Sequence, residues 1–117
     1  MEYSETANIG KIVIAPEVLI TIAKLSTLSV PGVARMAPVS GGMDRYFKRG
    51  ASDGVRIEML GEHSLRADIY VVIRGDANVS VVSEHVQAEV ARATIEMVGM
   101  DAHTVNVHIE EIEYSEQ

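Results

Sequence analysis

The chain has 117 residues, 47% of them hydrophobic, and contains no cysteine. This length suits one hydrophobic core, and the missing cysteine excludes disulfide bonds and thiolate chemistry. The formal net charge is −7. Residues 76–117 hold nine acidic residues and one basic residue, Arg92, which disfavours nucleic acid and anionic lipid as partners of that half. Without an apolar run of about 18 residues or a signal-peptide pattern, we expect a cytoplasmic protein that does not insert into a membrane.

The first predicted elements are a strand and a helix. Residues 1–8 are expected to form a flexible N-terminal arm. Alternation over Ile9 to Ile14 predicts a strand, and Pro16 is well placed at the first helical position of a helix that ends near Ser29. The predicted core stripe of this helix is Val18, Leu19, Ile22, Ala23 and Leu25.

The helix is followed by a short strand and an insertion. Val30 to Val39 contains two prolines, which indicates a short irregular or edge strand. Residues 41–54 are interpreted as a mobile basic insertion. Its candidate anion or ligand contacts are Arg45, Lys48 and Arg49.

Two further strands are predicted over Val55 to Met59 and Leu65 to Ile73, joined as a hairpin. The odd-numbered residues of the second strand are expected to face the core, and the even-numbered residues to face outward. A last strand is predicted over Val105 to Ile109. The alternation changes phase at Glu111, which indicates either a bulge or the end of the strand.

The longest predicted helix spans Val79 to Val98. Asn78 is the expected N-cap, with Ser80 as the alternative, and Gly99 is placed to end the helix in a left-handed conformation. At 100° per residue one apolar stripe forms on this helix. Its members are Val79, Val82, Val86, Val90, Ala93, Met97 and Met100.

This helix carries a second apolar stripe on its opposite side, at Val81, Ala88 and Ile95, with Val98 beside it. A surface helix needs only one apolar stripe, so two indicate that a partner covers the second. The alternative is that a few alanines and valines are simply tolerated on a surface. On the first helix, Ile20 and Leu28 fall outside the predicted core stripe. They are further candidate protein contacts.

Together these elements predict an α+β fold, a two-layer sandwich with a mixed β-sheet and two helices packed on one face. Residues 9–114 form the predicted single domain, and residues 115–117 a tail. The other sheet face is expected to be polar. Its residues are Arg56, Glu58, Arg66, Asp68, Tyr70, Arg74, Asn106, His108 and Glu110.

No pattern in the chain predicts a reaction. There is no nucleophile elbow or phosphate loop, so we expect a non-enzymatic protein without a cofactor. The four histidines are not spaced as metal ligands. The basic insertion contains two aromatic residues, as in RNA-binding modules, but the acidic domain without a Gly-x-x-Gly loop between two helices argues against nucleic acid.

Several segments in order resemble the bacterial alkaline shock protein family, also called Gls-type general stress proteins. These segments are Gly10-Lys11-Ile12 leading into Ala15-Pro16-Glu17-Val18, then Val30-Pro31-Gly32-Val33, Tyr70-Val71-Val72, Val86-Gln87, Val98-Gly99-Met100 and Val105-Asn106-Val107-His108-Ile109. The resemblance implies a non-enzymatic protein of the cell-envelope stress response that self-associates. It further implies a membrane-anchor protein or a lipid-metabolism enzyme as partner. A small-molecule or lipid-metabolism-related binding or regulatory module is the alternative.

Overall fold

The computed structural model describes residues 9–39 and 53–114. The predicted arm, the tail and the insertion up to residue 52 lie outside the described residues, as do Arg45, Lys48 and Arg49. Two helices pack on one face of a four-stranded sheet, which confirms the predicted fold class. The elements are α1 (Pro16–Leu28), β1 (Val33–Met36), β2 (Val55–Met59), β3 (Ser64–Arg74), α2 (Val79–Val98) and β4 (Asp101–Glu113).

The central strand of the sheet is β3. It runs parallel to β4 along its whole length and antiparallel to β1 and β2. Because a strand has only two edges, β1 and β2 must share the edge that β4 leaves open. Accordingly, β2 pairs with residues 65–69 of β3, and β1 pairs with residues 71–73. The sheet is therefore mixed and contains the predicted β2–β3 hairpin.

The end-to-end junction of β1 and β2 lies at Tyr70. The Tyr70 amide donates to the Gly54 carbonyl at 2.8 Å, and the Tyr70 carbonyl accepts from the Ala37 amide at 2.9 Å. Gly54 has a φ of 77°, a left-handed conformation that favours glycine. A glycine here lets three backbone segments meet within hydrogen-bonding distance.

The main core fills the space between the sheet and the helices. The odd-numbered residues of β3 are all buried there, as predicted. The even-numbered Tyr70 and Val72 are buried too, on the outer sheet face, where they pack with Ala37 and Val39. The chain that follows β1 therefore covers part of the face predicted to be exposed.

The first predicted strand is wrong. Residues 9–15 form neither helix nor strand, and Ile9, Ile12 and Val13 are exposed, Ile12 by 90%. Both edges of β3 are already occupied, and no described strand pairs with this segment. Alternation shows that a segment suits a sheet, but it does not supply the neighbouring strand.

The buried side of α1 lies roughly a quarter turn away from the predicted core stripe, at 100° per residue. Val18 and Leu25 are exposed, whereas Ile20, predicted as a contact residue, is buried. Aliphatic residues lie all around this helix, so periodicity alone does not select the buried side. The fully buried Thr27 marks that side, because its hydroxyl donates to the Ala23 carbonyl at 2.8 Å.

The inner stripe of α2 is largely confirmed, since Val82, Val86, Val90 and Ala93 are buried, and so is Met100. Val79 and Met97 are exposed, so their assignment to the core is wrong. Both lie in the terminal turns of α2, where helical spacing does not reveal whether the sheet extends beneath them.

The predicted ends of α2 are confirmed. The Asn78 side chain accepts from the Val81 amide at 3.0 Å, and Gly99 has a φ of 70°, a left-handed conformation.

The phase change in the sequence of β4 has a structural cause. In β4 the register jumps from Ile109 to Glu111 opposite β3. The phase change is therefore a bulge within the strand.

Replacement of Gly54 by alanine should destabilise the fold strongly. An added Cβ would lie 2.4 Å from the Ala37 carbonyl oxygen and 2.8 Å from that of Tyr70. Gly99 is a matched control because its φ is similar and its Cβ would meet nothing within 4 Å. We expect Gly99→Ala to cost about 1 kcal/mol and Gly54→Ala at least about 2 kcal/mol more in urea unfolding. Equal costs would contradict the close junction at Tyr70.

Candidate interaction surface

The outer side of α2 exposes aliphatic side chains at a spacing of seven residues. Val81 is 45% and Ile95 51% exposed, and Ala88 between them is also exposed. They lie opposite the buried stripe that faces the sheet. Val98 is half-buried and packs against the core, so it lies at the margin of this outer stripe rather than within it.

A similar stripe lies on α1, where the sequence pattern was assigned to the core. Val18, Leu25 and Leu28 are all exposed, Leu25 by 60%. Val18 and Leu25 are seven residues apart, and Leu28 follows three residues later, so all three share one side of the helix. Spacing alone does not identify this stripe, because the buried side of α1 is aliphatic as well.

A shallow groove joins the two helices. Ser29, Val30 and Pro31, which follow α1, line one side, and His85, Ala88 and Glu89 of α2 line the other. Ala88 thus belongs both to the groove and to the outer stripe of α2. We call the exposed aliphatic residues of both helices the helical face; its members are Val18, Leu25, Leu28, Val81, Ala88 and Ile95.

Charged groups border the helical face on α2. Arg92 forms ion pairs with Glu89 at 2.7 Å and with Glu96 at 2.8 Å. The hydrogen bond from Arg92 lowers the pKa of Glu89, and the hydrogen bond to Glu89 raises the pKa of Arg92. Such exposed pairs contribute little to stability. They supply a polar rim beside an apolar surface, an arrangement typical of protein interfaces.

A second group of side chains lies on the outer sheet face, where β3 and β4 bring predicted polar residues together. Asp68 is buried. Its Oδ1 accepts from Asn106 Nδ2 at 3.1 Å and lies 3.0 Å from His108 Nε2. The His108 ring stacks on Tyr70 with 4.3 Å between centroids, and Arg66 Nε lies 3.8 Å from Asp68 Oδ2. We call these five residues the Asp68 cluster.

The protonation of Asp68 is controlled by these neighbours. Burial on its own would raise the pKa of the carboxyl, but hydrogen bonds with His108 and Asn106 and the charges of His108 and Arg66 hold that pKa below its usual range. The ionised carboxylate is therefore favoured in the folded protein. Because its Oδ1 contacts two side chains of β4, Asp68 joins β3 to β4.

The described residues offer no other chemical site. Among residues 9–39 and 53–114, no three histidine, aspartate or glutamate side chains are grouped to hold a metal ion. No helix in these ranges has the length and apolarity needed to cross a membrane.

Comparison with known proteins then assigns the family. The model of the alkaline shock protein family, described as having a cell envelope-related function, matches residues 4–114. The chain belongs to this family. A resemblance to it was expected from the sequence segments above, and it is confirmed, together with the cell envelope-related function.

Two relatives of the chain are described as uncharacterized proteins. YqhY of Bacillus subtilis (strain 168) is 28% identical over 116 residues, which cover 97% of this chain and 84% of the relative. Spy1535 of Streptococcus pyogenes serotype M6 is 34% identical over 112 residues, covering 92% of this chain and 82% of the relative. Among solved structures, MamM V260R is 13% identical with a TM-score of 0.48, covering 85% of this chain and 96% of that chain.

Removal of the Asp68 carboxylate should destabilise the fold in a pH-dependent way. Asp68→Ala leaves His108 and Asn106 without their shared acceptor, at a cost of about 1–3 kcal/mol in urea unfolding at pH 7. Because the folded-state pKa is lowered, the carboxylate stabilises the fold above the ordinary aspartate value of about 3.9. This contribution is lost as pH falls through the folded-state pKa. The difference in free energy of unfolding between wild type and variant should therefore become smaller in that pH range.

Asp76→Ala is the matched control for this substitution, because the Asp76 side chain is 81% exposed and forms a surface pair with Arg74 at 3.7 Å. We expect almost no change in its free energy of unfolding at any pH. If the free energy of unfolding of the two variants depended on pH in the same way, the role assigned to Asp68 would be contradicted.

Proposed function

We propose that this protein is a non-enzymatic scaffold of the cell-envelope stress response, acting through protein–protein interaction and self-association. The observation that carries the proposal is the helical face. Exposed aliphatic residues are common when they are scattered singly. Here they are grouped as one stripe on each of two helices in contact, and grouped apolar residues mark interaction surfaces.

The size of the helical face indicates how tight self-association should be. Complete burial of an aliphatic side chain contributes about 1.5–3 kcal/mol, and these side chains are about half-exposed. Two such faces in contact would contribute roughly 10 kcal/mol. The entropic cost of association is about 4–15 kcal/mol. We therefore expect weak, concentration-dependent self-association.

The family resemblance implies further partners for this protein. In our proposal the protein is cytoplasmic and becomes associated with the membrane through a partner, either a membrane-anchor protein or an enzyme of lipid metabolism. Weak contacts between copies suit this role, because many copies gathered on one partner reach a high local concentration and bind cooperatively.

Charges placed in the helical face should prevent self-association. Val81→Glu and Ile95→Glu each put a carboxylate where an apolar contact would form, and desolvation of that carboxylate opposes burial. We expect the double variant to remain monomeric, by light scattering, at concentrations where the wild type associates.

Met97→Glu is the matched control, since Met97 lies on the same helix, is 67% exposed and does not belong to the outer stripe. It should associate like the wild type. A wild type that is monomeric at high concentration would refute the self-association proposal. Equal loss in Met97→Glu and the double variant would assign the loss to charge rather than to the helical face.

A small-molecule or lipid-metabolism-related binding or regulatory module is the second candidate function. It is favoured by the Asp68 cluster, which gathers a carboxylate, an imidazole and a guanidinium on one sheet face. In this case acyl or phosphorylated metabolites should raise the melting temperature of the wild type, and Arg66→Ala should reduce that shift. A screen without any shift would reject this candidate.

A further inference from the structure

The outer edge of β4 is the longest exposed backbone edge among the described strands. β4 spans 13 residues, and every one of them is at least partly exposed. It pairs with β3 on one side, and no described strand pairs with it on the other. An open edge of this length is a template for an added strand, because a strand that pairs on one side presents amide and carbonyl groups on the other.

The apolar side chains of β4 suit this edge to a further strand. The Val105 carbonyl already accepts a hydrogen bond from the Gln87 side chain at 3.0 Å, and an added strand would replace that donor. Val105, Val107 and Ile109 pack against the core but stay half-exposed. A neighbouring strand would cover them and add apolar burial to the backbone hydrogen bonds.

The N-terminal segment, residues 9–13, has the matching properties. Its alternating sequence predicts a strand, yet it forms neither strand nor helix in the isolated chain. Ile9 and Val13 are 85% and 77% exposed. Three exposed aliphatic residues within five positions, without a described partner, indicate a segment that is completed by contact with another surface.

We propose that residues 9–13 of one copy add as a strand to the outer edge of β4 in a second copy. The segment is anchored to its own domain, because Ile14 packs on its own core and the Ala15 carbonyl begins α1. α1 packs against β1 and β2, which lie across β3 from β4. The open edge of the same chain is therefore on the far side of the sheet, whereas that of a second copy is accessible.

Charge also favours this pairing. Lys11 is the one charged residue of the segment, whereas β4 carries Asp101, Glu110, Glu111 and Glu113. A basic segment on an acidic edge is attracted, while two β4 edges would repel each other. This proposal rests on the proposed self-association but uses a surface separate from the helical face.

A proline in the segment tests the strand pairing directly. Val13→Pro removes a backbone donor and is poorly tolerated in a paired strand, whereas Val13→Ala shortens the side chain and keeps the donor. Val13 lies outside every helix and strand, so both variants should fold with unchanged melting temperatures. We expect the dissociation constant for self-association, measured by sedimentation, to rise about tenfold in Val13→Pro and clearly less in Val13→Ala.

A disulfide trap supplies an independent measurement, because the natural chain has no cysteine. An Ile12→Cys copy is mixed with a tagged copy that carries His103→Cys, at an exposed position in β4. Mild oxidation should produce the mixed disulfide-linked dimer. As control, a Met59→Cys copy, with its cysteine at the exposed end of β2, replaces the His103→Cys copy and should give much less of the mixed dimer.

The outcomes separate this inference from the proposed function. If Val13→Pro and Val13→Ala associate alike and no mixed dimer is trapped, strand addition is refuted, even where Val81→Glu with Ile95→Glu abolishes association. If Val13→Pro weakens association while the helical-face variant does not, strand addition stands and the helical face is refuted as the contact. A wild type that stays monomeric refutes both.

Discussion

The two edges of β3 constrain the whole architecture. One edge is occupied by β4 over its entire length, and the other is divided between β2 and β1, which meet at Tyr70. The backbone at Ala37 and Tyr70 must therefore lie close to Gly54 at this junction. The same division leaves β4 as an open outer edge and leaves residues 9–13 without a place in the sheet of their own chain.

The two faces of the sheet are used in different ways. On the inner face, the odd-numbered residues of β3 pack beneath both helices. On the outer face, the Asp68 cluster and the Ala37–Val39 segment cover β3 with polar groups that bind each other and with a small apolar cluster. Exposed aliphatic side chains remain on the solvent side of both helices and in residues 9–13, and the proposed function depends on those of the helical face.

The strengths and failures of the sequence predictions follow from what each pattern encodes. Strand β3, the Asn78 cap and the Gly99 end of α2 rest on local rules, and they were predictable. The burial of Ile20 instead of Leu25 was not, because α1 is aliphatic all around and its rotation is fixed by the neighbouring strands. For the same reason the exposed stripe of α1 escaped prediction, while the outer stripe of α2 was found.

Methyl NMR of the wild type over a concentration series tests the helical face as the contact between copies most directly. We expect the methyl signals of Leu25, Val81 and Ile95 to shift progressively with concentration, whereas those of Met97 and Met59 should stay in place. Signals that stay constant throughout the series, or shifts confined to Met97 and Met59, would contradict this expectation.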